Sequence, residues 1–359
     1  MGLKSLEIQA FRNLKQVILI PDQEFNVITG SNAAGKTSLL ESIFYLSFGR
    51  SFRNSQTKDL ISYDHDFFRL ISELDSSDTR IGIERRLKDQ TIRVNRQAIN
   101  RLSHLSTLLP VLVLHPDSHQ LISSGPDNRR QYLDWGVFHV EHSFIDSWKK
   151  YKKALSQRNA ALRLRQSNKL CALWDSELVE HAFQIEKSRN KYLNKIISII
   201  KELSNDLFPG HTIKLVHKRG WPEDIGFAEN LYKNIDKDRE KGFTQSGPHR
   251  ADIKITVDGK SAQSSISRGQ QKKLVSLLKI AQLRLFSEMS KQKCILLFDD
   301  LPAELDHENQ IKILNILSKL NIQIFITAIR DDLIDYKPWK SHKVFHVEHG
   351  VVTERIKEI

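Results

Sequence analysis

The chain has 359 residues, long for one ordinary domain, and its 55 Lys and Arg against 43 Asp and Glu give a formal charge of +12. That surplus favours anionic partners, nucleic acid or a membrane surface. Two distant cysteines, Cys171 and Cys294, exclude a disulfide framework or a zinc knuckle, and no apolar run of about 18 residues reads as a transmembrane helix. With no apolar leader segment at the start, the expected location is cytoplasmic.

The first block alternates as strands do: Leu6 and Ile8, then VILI (17–20), then FNVIT (25–29). TGSNAAGKTS follows, and Gly30 to Thr37 within it reads G-x-x-x-x-G-K-T. Leu39, Leu40, Ile43 and Leu46 then recur at helical spacing, so the loop lies between a strand and a helix, the setting of a phosphate-binding loop. Such a loop points backbone N–H groups at phosphate oxygens, and the helix adds the positive end of its dipole. The expected ligands are ATP and Mg²⁺. Gly30, Ser31, Asn32, Ala33, Ala34, Gly35, Lys36, Thr37 and Ser38 would form the cradle, Lys36 reaching the β/γ-phosphates and Thr37 the metal.

Further strand-like runs follow at 69–74, 81–87 and 110–116. From 117 the texture turns helical. Apolar residues recur three or four apart through 144–165, with Ile145, Trp148, Ala154 or Leu155, and Leu162 on one face, and again through 173–203. Two such helices back to back predict an antiparallel arm. Strand texture returns at 212–217 and at 251–261, where Asp258-Gly259 is a hairpin signal. CILLFDD (294–300) is an apolar strand ending in two acids. Asp299 is expected to hold the metal and Asp300 to orient or deprotonate a water, on a strand beside that of the loop. A helix through Leu314, a strand at 322–327 and a terminal hairpin turning near Gly350 complete the chain. The expected division is an α/β nucleotide-binding domain from residues 1–116 and 209–359, with a helical insertion at 117–208.

SISRGQQKKL (265–274) places Ser267, Arg268, Gly269, Gln270 and Lys272 at a helix start about 30 residues before Asp299. This S-x-G-Q entry resembles the signature motif of ABC-type ATPases, and AELD (303–306), with Glu304 and Asp306, resembles their D-loop. FRNL (11–14), carrying Arg12 and Asn13, is similar to the start of chromosome-maintenance (SMC) heads. GRSFR (49–53), DNRRQYLDWG (127–136) and SGPHRAD (246–252) together resemble the RecF family of bacterial recombination-mediator ATPases, over nearly the whole chain. The resemblance implies an ABC/SMC-like P-loop ATPase head with an inserted α-helical arm. It implies Arg12 and Asn13 near the nucleotide, and a signature that contacts ATP held by a second copy in an ATP-dependent homodimer. It also implies double- and single-stranded DNA at gaps, RecO, RecR and RecA as partners, and a nucleoid-associated location. Two departures stand out: FITAIR (325–330) has no His where transporters place one, and the second acid is Asp300 rather than Glu. Slow hydrolysis is the expectation. The Gln-loop is left between Asp117 and Gln120 in HPDSHQ.

Lys149, Lys150, Lys152 and Lys153 crowd one span of the arm, and Arg53 adds charge on the head. Stacking on bases is not expected here, and sequence-independent contacts to the DNA backbone are. FHVEH occurs at 138–142 and 345–349 without metal-site spacing. The alternative to a DNA-gripping switch is an ABC-type ATPase driving transport or another mechanical process.

Overall fold

The computed structural model describes residues 2–53, 55–75, 78–141 and 143–355. His142, in the first FHVEH copy, lies outside the described residues; in the second copy His346 sits in the strand His342–Glu348 and His349 in the turn after it. The chain divides into two compact units, Met1–Ser118 with Phe286–Ile359, and His119–Leu285. Residues 209–285 therefore pack with the helical part, where the sequence placed them in the nucleotide-binding part.

The first unit holds two six-stranded sheets. One is antiparallel, built mainly from Leu3–Phe11, Leu14–Leu19, Phe67–Leu74, Arg80–Arg86 and Gln90–Val94, with alternating burial along its strands. Alternation buries one face and wets the other, as antiparallel sheets allow. The other sheet is mostly parallel. Its order is Val351–Arg355, His342–Glu348, Phe25–Thr29, Ile322–Ala328, Cys294–Phe298, Val111–Leu114. Its central strands FNVIT, IQIFITA and CILLF are buried at every position, as doubly covered parallel strands are, and the polar side chains among them, Asn26, Thr29, Gln323 and Thr327, are each hydrogen-bonded. The helix Lys36–Phe48 packs into the same core through Leu39, Leu40, Ile43 and Leu46, all with no exposure. It is buried on nearly every side, as a central helix is. It stops at Gly49, whose φ of 62° is left-handed and whose N–H returns to Tyr45 O.

The order corrects one expectation. The acid-bearing strand Cys294–Phe298 is not beside the loop strand, because Ile322–Ala328 lies between and pairs in parallel with both.

In the second unit the helix Phe144–Arg163 packs against the 33-residue helix Asp175–Leu207. The buried side chains of the first are Phe144, Tyr151, Ala154, Leu155, Arg158, Ala161 and Leu162, while Ile145 and Trp148 are only half-buried. Arg158 is fully buried and donates to Asp175, Asp238 and Thr244 at 2.7–2.8 Å. The strands Ile213–Lys218, Asp252–Val257 and Lys260–Ser261 form a separate antiparallel sheet here, turned at Asp258-Gly259 with both φ positive. Pairing from Asp252–Lys218 to Val257–Ile213 runs the full length of both longer strands; Ile213–Lys218 at the edge is buried on one side only, while Asp252–Val257 in the middle ends in three consecutive buried residues. Two of the RecF-like motifs, 127–136 and 246–252, are tied together within this unit. Arg129 forks onto Asp252, Arg130 donates to Ala251 O, and Arg189 bridges Asp134 to Pro248 O.

Candidate nucleotide site

Site geometry begins with the loop after Phe25–Thr29. Gly30 has φ 148° and Gly35 φ 124°, conformations open to glycine alone without strain. A side chain on Gly30 would run into the carbonyl of Val347, and one on Gly35 into Asn13. Ala33, also left-handed at φ 63°, completes the curl. Lys36 folds back inside it, donating to Gly30 O at 2.7 Å and Ser31 O at 2.8 Å. Burial pulls its pKa below the ordinary lysine value, opposed by the charges of Asp300 and Asp299. Ser31, Asn32 and Ala33 are exposed at the rim.

Asn13 holds the far side of the loop. Its amide donates to Ala34 O at 2.9 Å and its carbonyl accepts from Ser38 Oγ at 2.9 Å. The terminal hairpin adds a third tie, Gly350 N to Ala34 O at 3.0 Å. Arg12 is turned elsewhere. Its guanidinium forks onto the fully buried Glu41 of the loop helix and reaches Ser55 Oγ and Asp59 O, while Ser51 also donates to Glu41. Arg12 thus ties Ser55 and Asp59 to the helix that carries Lys36. Sequence reasoning gave no signal for Glu41, an acid hidden in an apolar helix.

The acids lie at the end of Cys294–Phe298. Thr37 Oγ1 sits 3.0 Å from both Asp299 oxygens, and Thr327 Oγ1 donates to Asp299 Oδ1 at 2.9 Å. Burial raises the Asp299 pKa; the hydrogen bonds from Thr327 and Thr37 and the charge of Arg53 oppose it, and the neighbouring Asp300 adds to it. Arg53, an expected DNA contact, is therefore close enough to act on the site electrostatically. Asp300 has a left-handed backbone, φ 59° and ψ 54°, and its N–H donates to Thr327 Oγ1 at 2.7 Å. Asp adopts that conformation more readily than Glu, because its short polar side chain can satisfy the local backbone.

The remaining expected positions are dispersed. Asp306 is the N-cap of the helix His307–Leu317, accepting from Asn309 N at 2.9 Å, and Glu304 ends the preceding turn. In the second unit Ser267, Arg268, Gly269 and Gln270 are all exposed, and Lys272 is half-buried. Ser267 and Gln270 cap the helix Arg268–Met289 reciprocally: Ser267 N donates to the Gln270 amide oxygen at 2.9 Å, and Gln270 N to Ser267 Oγ at 3.3 Å. Lys149, Lys150, Lys152 and Lys153 are exposed along Phe144–Arg163, Lys152 lying over the Trp148 ring at 5.4 Å. Asp117 and Gln120 are exposed, in a short 3₁₀ turn and at the start of the next helix. Thr327 was missed, because its role depends on which strand lies next to which.

The RecF/RecN/SMC N-terminal domain model matches residues 2–353. A DNA replication and repair protein RecF from Thioalkalivibrio sulfidiphilus is 38% identical over 98% of this chain and 99% of its own. A solved structure of the recombination mediator protein RecF with ATP, in the RecFOR pathway, superposes with a TM-score of 0.87 at 27% identity, over 98% of this chain and 99% of that one. An Smc head bound to the C-terminal winged helix of ScpA shares the fold, with a TM-score of 0.62 at 16% identity over 99% and 98% of the two chains. No helix among the described residues is long and apolar enough to cross a membrane. The chain belongs to the RecF family of DNA replication and repair proteins.

Proposed function

We propose that this chain is an ATP-switched DNA-binding protein of recombinational repair. ATP closes two copies head to tail, the closed pair grips gapped DNA, and slow hydrolysis releases it. The observation that carries the reading is the meeting of Lys36, Thr37 and Asp299 at the mouth of the glycine loop, with Thr37 Oγ1 3.0 Å from both Asp299 oxygens. A hydroxyl and a carboxylate are the hard oxygen donors that suit Mg²⁺, and the positive-φ glycines give the loop the curl in which backbone amides can meet phosphate oxygens. The residues therefore fit ATP and Mg²⁺. Mg²⁺ held by Thr37 and Asp299 would neutralise charge on the β- and γ-phosphates.

The chain's own contributions follow from position. Lys36 leaves the loop carbonyls for phosphate oxygens, an exchange of acceptors at the same cation. Asp300 accepts a hydrogen bond from the attacking water and holds it in line. Its one-carbon-shorter reach than Glu supports a slow step. The exposed Ser267–Gln270 turn supports completion of the site by a second copy, since its polar groups face outward. The lysines of Phe144–Arg163 and Arg53 supply cations for the DNA backbone, and RecO, RecR and RecA are the partners that the family implies.

Sedimentation and DNA binding with and without Mg²⁺·ATP test the proposal. It expects dimers and tighter DNA binding only with the nucleotide. A monomer that turns ATP over rapidly without DNA would sink it.

A further inference from the structure

Thr327 is fully buried at the last position but one of Ile322–Ala328. Parallel register pairs Ile326 with Phe298, so one residue further on Thr327 comes level with Asp299. Its hydroxyl donates to Asp299 Oδ1 at 2.9 Å and accepts from the Asp300 N–H at 2.7 Å. A hydroxyl has one proton and two lone pairs, so both bonds stand together. Thr37 donates to the same carboxylate, so two hydroxyls hold Asp299. The N–H bond also fixes the peptide at which the chain enters the left-handed turn of Asp300.

We propose that Thr327 is a positioning residue for the Mg²⁺·ATP site, holding the metal-facing carboxylate in one rotamer and aiming Asp300 through its backbone. The proposal rests on the nucleotide-site reading above. Valine has the same shape as threonine without the hydroxyl. It would leave Asp299 held by Thr37 alone and the Asp300 N–H with no acceptor at that position, whereas serine keeps both bonds.

The test titrates Mg²⁺ into the full chain with a fluorescent ATP analogue, for wild type, Thr327→Val and Thr327→Ser, with steady-state turnover measured in parallel. In Thr327→Val the Mg²⁺ needed for half-maximal tightening should rise about tenfold and kcat should fall about tenfold, the scale of a lost hydrogen bond to a charged group. Analogue affinity in EDTA and KM at saturating Mg²⁺ should stay within about twofold, and Thr327→Ser should match wild type on all four readings. If the valine chain does not fold, Thr327→Ala is read in the same way. A folded Val or Ala variant with wild-type Mg²⁺ dependence overturns the proposal. So does an equal loss of binding with and without Mg²⁺, which assigns Thr327 to the fold alone. Wild-type protein whose analogue binding ignores Mg²⁺ overturns the site reading beneath it, before any variant is compared.

Discussion

Lys36 and Asp299 are buried and Thr37 half-buried, and each polar head is already bonded inside the chain. Ser267, Arg268, Gly269 and Gln270 are exposed, and the bonds between Ser267 and Gln270 only close their own helix turn. The candidate nucleotide loop is thus preorganised, its cost met by glycines and by the Asn13 and Gly350 ties. The signature turn is a presented surface. On the proposed reading this asymmetry is what a shared site requires: one half rigid enough to hold ATP in a lone chain, the other facing outward for a second chain.

Exposure in the second unit does not make it loose, and the largest expected effect tests this. Arg158→Ala leaves Asp238, which has no exposure, without its cation. Breaking one side of a buried pair should cost about 3–5 kcal/mol in chemical denaturation. Nucleotide affinity should stay unchanged if the two regions have separate duties. Next, Lys36→Ala should weaken ATP binding about 100-fold by calorimetry, the worth of one to two charge-assisted bonds. Lys36→Arg should keep weak binding and lose turnover, as the planar guanidinium does not fit the same curl.

Smaller effects concern the arm. Replacing Lys149, Lys150 and Lys153 by Gln should reduce the slope of log affinity for duplex DNA against log salt by roughly 0.9 for each lysine that neutralises a phosphate. An unchanged slope would place the DNA elsewhere. The mildest prediction is a pH dependence. Burial lowers the pKa values of His217 and His249 to about 4 and of His139 to about 3, all in the second unit. Folded, these rings stay neutral; unfolded, they take protons near the ordinary value of about 6.5. Their contribution is complete above that value and is lost as pH falls from it toward 4 and 3. Urea midpoints at pH 7 and pH 5 should show the second unit weakening first.

Much of the candidate site is legible from local pattern. FNVIT and CILLF are strands at the residues where the sequence marks them, and G-x-x-x-x-G-K-T needs a strand and a helix as neighbours, which flank it directly in the chain. What is not legible depends on order in space. The strand that separates loop from acids comes later in the chain, so neither the insertion of Ile322–Ala328 nor the double duty of Thr327 has a local signal. Arg158 reads as one more cation in a basic helix until Asp175 and Asp238 close on it from other helices. The return to strands near 212 looks like the nucleotide-binding domain resuming, yet those strands pair with each other in the second unit, because alternation reports one-sided burial and not the identity of the neighbour.

On the proposed reading, each nucleotide site is completed by another copy of the chain. Mixing two defective chains tests it most directly: Lys36→Ala keeps a sound signature, and Ser267→Arg keeps a sound loop. Each alone should fail to dimerise with Mg²⁺·ATP in sedimentation. The mixture can assemble one sound composite site and should form a heterodimer with partial turnover. A mixture as inert as its components, or Ser267→Arg alone dimerising like wild type, would contradict the account.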